Sequence, residues 1–159
     1  YVTNNTTRCV LELNKWFENS YIATGTNILI SHSRGTAVMY QALVEIKKIG
    51  IHADKFKNTQ ILMLCNVNYT IDATFLGLFK SFEAICFKDD TFNGIGMNRI
   101  VDKIESKLQN HIAVNYLQYI STSNKYNFQN VDLTNISSIA RKQITRNKEY
   151  RKTNIVNHY

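Results

Sequence analysis

Residues 27–50 read NILISHSRGTAVMYQALVEIKKIG, and this stretch decides the fold. It opens on an apolar run, Ile28-Leu29-Ile30, and breaks into small and polar residues at Ser31-His32-Ser33-Arg34-Gly35. Apolar character then resumes with helical spacing at Val38, Ala42, Leu43, Ile46 and Ile49. Lys47 and Lys48 suit the negative end of a helix, and Gly50 suits the left-handed residue that closes one. The stretch predicts strand, sharp turn, helix, with Ser33 at the turn. A side chain there points clear of both elements. Small neighbours, here Ser31 and Gly35, let the backbone fold back on itself. The backbone N–H of Arg34 is expected at the helix N-terminus, where the dipole favours a developing oxyanion.

Outward from this turn, the pattern repeats. Residues 7–20 give an amphipathic helix through Val10, Leu11, Leu13, Trp16 and Phe17, with Thr6 or Thr7 as N-cap. Residues 52–58 read as a polar connection. QILMLCNV at 60–67 is apolar on both faces, as a strand covered by helices on both sides should be. Residues 70–82 read as either a short helix or a loop. FEAICFK at 82–88 is a third strand. Strands alternating with helices predict an α/β fold with a mostly parallel sheet, flanking helices and right-handed crossovers. From 97 to 109, Ile100, Val101, Ile104 and Leu108 fit a helix, with a short strand at 107–109 as an alternative. Residues 112–120, IAVNYLQYI, suit a final packing helix. The division expected is 1–121 for this unit and 122–159 for a polar, basic extension.

In open α/β sheets, functional groups collect outside the carboxyl ends of the strands. The loop KDDTFNGIG at 88–96 follows the third strand, so Asp89 and Asp90 are expected on the same edge as Ser33. His111 lies in the loop before the last helix. An imidazole titrates near neutrality, so it can take the proton of a serine that attacks a carbonyl, while a carboxylate orients the ring and stabilises its charged form. His32 reads as a turn residue facing away from Ser33.

The run Ser31-His32-Ser33-Arg34-Gly35 resembles the nucleophile elbow of the α/β-hydrolases, G-x-S-x-G, with Ser31 in place of the first Gly. The order Ser33, Asp89 or Asp90, His111 is the order that family uses. Asp-Asp-Thr-Phe-Asn is similar to its acid loop, in which the acid stands about three residues before an apolar one. That spacing favours Asp89, with Phe92 as the apolar residue; Asp90 stays open, and Asp72, after the second strand, is a rival. Asn110-His111-Ile112 with Asn115-Tyr116-Leu117 is similar to the histidine loop and its helix. The resemblance spans about residues 7–121 and the C-terminal half of the family's domain, without its N-terminal strands or the loop bearing a second oxyanion donor. It implies a serine hydrolase of the lipase, esterase or thioesterase kind, needing no cofactor or metal. Its substrate would be a small-molecule or lipid ester. It also implies a fragment of a larger enzyme, weakly active or inactive alone, with an exposed edge on the elbow strand. The alternative is a non-catalytic scaffold of the same fold.

Composition bounds these readings. The chain has 159 residues, 44% of them hydrophobic, which fits one globular domain. No apolar run is long enough to span a bilayer. Cys9, Cys65 and Cys86 show no paired spacing, and the two in apolar runs read as buried thiols, which points to a reducing, cytoplasmic setting with secretion left open. There is no zinc-type Cys/His spacing. The net charge of +7 owes much to Arg141, Lys142, Arg146, Lys148, Arg151 and Lys152, set against Glu149. This tail offers contact with an anionic surface, but no aromatic-basic interleaving typical of nucleic-acid binding. Phe75, Leu78, Phe79 and Phe92 are candidates for an apolar pocket wall, or equally for core.

Overall fold

A computed structural model describes residues 4–25, 27–93, 97–102 and 110–123. The basic tail, and the 107–109 strand alternative, lie outside the described residues. Helix α1 (Asn4–Asn19) leads to strand β1 (Asn27–His32), helix α2 (Arg34–Ile49) and a short helix α3 (Ala53–Phe56). Strand β2 (Thr59–Leu64), short helix α4 (Ala73–Leu76), strand β3 (Ser81–Phe87), strand β4 (Arg99–Val101) and helix α5 (Ala113–Thr122) follow. The four strands among the described residues form one sheet in the order β1-β2-β3-β4, and every neighbouring pair is parallel.

Side-chain alternation along β2 explains why this strand is apolar throughout. Ile61 and Met63 face a core built with Leu13 and Phe17 of α1, Ala42, Leu43 and Ile46 of α2, and Phe56, Phe75 and Phe79. Leu62 and Leu64 face the opposite core, with Ile85, Phe87, Val101 and, from α5, Tyr116, Leu117 and Ile120. The sheet is therefore a middle layer. Gly50 closes α2 in the left-handed region at φ 78°, its N–H reaching the carbonyls of Ile46 and Lys47.

Two local expectations change and one open choice is decided. Residues 52–58 are not merely a polar link, because they contain α3, whose Phe56 is buried against Phe17 and Phe79. The ambiguous 70–82 segment contains α4, capped by the Asp72 carboxylate accepting from the Thr74 N–H at 2.9 Å. Over residues 97–102, the described part of the helix expected at 97–109, the chain instead forms β4, whose Ile100 and Val101 pair with Cys86 and Phe87. Adjacent β-branched residues favour an extended chain, although the same pair also fits a helical period. Strand β1 stands at an outer position of the sheet among the described residues.

Candidate active site

The turn between β1 and α2 holds Ser33 at φ 54° and ψ −128°. A side chain rarely adopts this conformation; it belongs to the first central residue of a type II′ turn, a glycine position. The surrounding hydrogen bonds explain how serine is kept there. The Ser33 N–H donates to the Leu64 carbonyl at the end of β2, at 2.9 Å. Its carbonyl accepts from the Thr36 N–H at 2.8 Å and from the Thr36 hydroxyl at 2.7 Å. Thr36 is fully buried, and its oxygen also accepts from the Val67 N–H at 3.1 Å, tying the turn to the loop after β2. Sequence reading missed Thr36, since a threonine in the first turn of a helix is unremarkable without its partners.

Parallel strands carry their carboxyl ends to one edge, and three groups meet there. The Ser33 Oγ lies 2.8 Å from His111 Nε2. His111 Nδ1 lies 2.9 Å from Asp90 Oδ1 and 3.0 Å from Asp90 Oδ2. His111 sits in the loop before α5 and its side chain is part-exposed, whereas the Asp90 side chain is fully shielded. With Asp90 ionised, Nδ1 carries the proton and donates it to the carboxylate, leaving Nε2 to accept from the serine hydroxyl.

The acid in contact with the ring is Asp90, not the favoured Asp89. The chain turns sharply after β3, with the Asp90 N–H donating to the Phe87 carbonyl at 3.0 Å. The Asp90 side chain then accepts from the Phe92 N–H at 2.9 Å, a local turn spanning two residues rather than three. This bond aims the carboxylate inward at His111. The Asp89 carboxylate, one residue earlier, makes no hydrogen bond or ion pair among the described residues. Asp72 is occupied as the cap of α4.

Burial pushes the Asp90 carboxyl upward, but hydrogen bonds from Tyr116, the Phe92 N–H and His111 outweigh it and hold the group below the usual carboxylate range. His32 is not turned away from the site as expected. Its ring lies 4.9 Å from the His111 ring and 5.7 Å from the Tyr116 ring. Burial first, and then the nearby His111, push it down to about 4, so it is neutral at ordinary pH.

Of the apolar residues considered for a pocket wall, Phe75 and Phe79 belong to the core and Leu78 packs against it. Phe92 alone stands at the site, its ring 4.4 Å from that of His111 and 40% exposed. Arg34 is the first residue of α2, so its N–H lies at the positive end of that helix, while its side chain is exposed.

The cysteines are closer than their spacing suggested. Pairing of Leu64 with Ile85 brings the next residues side by side, and the Cys65 and Cys86 Sγ atoms are 3.6 Å apart. With a carboxylate oxygen of Asp90 they form a buried donor set within 4.8 Å. Asp90 is already engaged by three donors, so the two thiols read as packing behind the acid. The hydrogen bond with Cys86, and after it burial, raise the Cys65 thiol well above its usual range. No helix among the described residues is long and apolar enough to cross a membrane.

Comparison with protein-family models, with curated proteins and with solved structures finds no significant match to this chain.

Proposed function

We propose that this protein is a serine hydrolase of the α/β-hydrolase kind, acting on an ester or thioester. The observation that carries the reading is the continuous hydrogen-bonded line from Ser33 through His111 to Asp90, with the serine on a strained turn between strand and helix. In this account His111 Nε2 takes the Ser33 proton as Oγ attacks the carbonyl carbon. Asp90 holds the ring and stabilises the imidazolium that forms. The Arg34 N–H, with the dipole of α2 behind it, stabilises the oxyanion. His111 then returns its proton to the leaving oxygen or sulfur, and a water activated by the same ring releases the acyl group.

The shared geometry supports the α/β-hydrolase resemblance beyond the elbow itself, since acid and histidine follow β3 and β4 in the chain order of that family. Phe92, part-exposed against His111, suits an apolar group on the substrate. A fluorophosphonate probe tests the reading: adduct mass should map to the peptide containing Ser33 and vanish in Ser33→Ala. A protein left unmodified by the probe would instead fit a non-catalytic scaffold.

A further inference from the structure

Helix α5 contributes a side chain to the site that the serine, histidine and acid do not account for. Tyr116 is fully buried, and its Oη lies 2.5 Å from Asp90 Oδ2. The same oxygen is 3.0 Å from the Phe87 backbone nitrogen. These two contacts fix the direction of the hydroxyl proton. A backbone N–H can only donate, so Oη accepts from Phe87. An ionised carboxylate can only accept, so the Tyr116 proton goes to Asp90. The Cys86 Sγ, at 3.5 Å, is a weaker competitor for that proton. The ring has little freedom to leave, because it stacks on Phe87 with centroids 4.1 Å apart and planes 19° from parallel.

We propose that Tyr116 is a positioning residue whose hydroxyl locks the Asp90 carboxylate in the orientation that holds the His111 ring. The proposal rests on the hydrolase reading for its catalytic meaning. Phe87 immediately precedes the turn bearing Asp90, and Tyr116 lies on the helix that begins just after His111. One side chain thus couples the loop carrying the acid to the loop carrying the base. A free carboxylate rotates about its last bond, and each added donor narrows that rotation. Charge-assisted bonds of this kind are short and among the stronger ones in proteins. A phenylalanine would fill the same space and stack on Phe87, so core packing alone does not require the hydroxyl.

Among the described residues, titratable groups face Asp90 from several elements. They are His111 before α5, Tyr116 on α5, Cys65 after β2, Cys86 on β3 and, more distantly, His32 on β1. Removing the hydroxyl deletes a donor to the ionised form and leaves the other groups in place. The Asp90 carboxyl should then titrate higher, by about one pH unit.

The experiment follows the Asp90 carboxyl carbon by NMR titration in the full chain, as wild type and Tyr116→Phe. It also measures the rate of fluorophosphonate labelling of Ser33 across pH. An upward shift of Asp90, with labelling slowed about tenfold and its acid limb moved to higher pH, is expected. An unchanged Asp90 titration in folded Tyr116→Phe would overturn the proposal. If that variant does not fold, 3,5-difluorotyrosine placed at position 116 keeps the shape and makes the phenol a stronger donor. Asp90 should then titrate lower, and no movement would overturn the proposal. Should the wild type resist the probe while Asp90 still shifts, the hydrolase reading fails and the positioning of Asp90 by Tyr116 stands.

Discussion

The Ser33 hydroxyl and the His111 ring are 78 residues apart in the chain and 2.8 Å apart in space. The parallel sheet makes that meeting possible. Among the described strands, Ser33 follows the first and His111 follows the last, and parallel strands deliver both loops to one edge. Thr36 sets the serine's side of the contact by holding the Ser33 carbonyl with two hydrogen bonds. Asp90 sets the histidine's side by accepting from Nδ1.

The strain at Ser33 is measurable. A side chain at φ 54° and ψ −128° costs on the order of 1–3 kcal/mol, and glycine escapes that cost at the expense of about 0.5–1 kcal/mol of chain entropy. Ser33→Gly should be more stable than Ser33→Ala by about 1 kcal/mol in urea unfolding. Alanine lacks the hydroxyl equally, so the difference isolates the backbone. The reverse order would mean that the turn is relaxed.

Acid should destabilise the protein through His32. Its ordinary pKa of about 6.5 falls to about 4 in the folded chain. Between those values the unfolded chain binds a proton that the folded chain does not, so stability declines as pH falls through that window. The loss is on the order of 2–3 kcal/mol, discounted for the partial exposure of the ring. Asp90, held below its ordinary range, adds a loss at still lower pH, as the solution falls through its folded pKa. His32→Phe keeps an aromatic ring beside His111 and Tyr116 but cannot titrate. Urea midpoints at pH 7, 5.5 and 4.5 should fall more steeply for the wild type than for this variant; parallel declines would remove His32 as the cause.

Ser31 occupies the first glycine position of the elbow pattern. It is buried, and its hydroxyl has no hydrogen-bond partner among the described residues. A buried, unpaired hydroxyl costs about 1 kcal/mol or more. Ser31→Ala should therefore raise stability by about 1 kcal/mol. A drop of that size would reveal a partner for the hydroxyl.

Gly35, the last glycine of the pattern, reads from sequence as a steric necessity. The structure gives it a different status. Beyond its chain neighbours and its own helix backbone, a Cβ there would meet no described atom within 4 Å, and its φ is ordinary. Alanine favours helix over glycine by up to about 1 kcal/mol, less near the first turn. Gly35→Ala should thus gain about 0.5 kcal/mol and leave labelling of Ser33 intact. A marked loss of stability would show that the turn needs the bare backbone after all.

These residues show what could be read from the chain. The turn at Ser33 was legible because strand, small residues and helix follow one another without interruption. The double-sided apolar run in β2 announced a covered sheet. The choice between Asp89 and Asp90 was not legible, because adjacent carboxylates share composition and differ only in which one closes the turn onto the Phe92 N–H. Helix periodicity hid β4, since Ile100 and Val101 serve either period when neighbours are unknown. His32, Thr36 and Tyr116 act through partners more than 25 residues away, and in Thr36's case also through the strained Ser33 carbonyl. Local pattern carries no such information.

The central claim is that Asp90, through His111, makes Ser33 nucleophilic. Its most direct test is the rate at which a fluorophosphonate modifies Ser33 in the wild type, in Asp90→Asn and in Asp89→Asn. The account predicts that Asp90→Asn slows labelling by roughly 10³–10⁴-fold, as loss of a triad acid does elsewhere, while Asp89→Asn stays within about threefold of the wild type. Equal rates for the wild type and Asp90→Asn would contradict it.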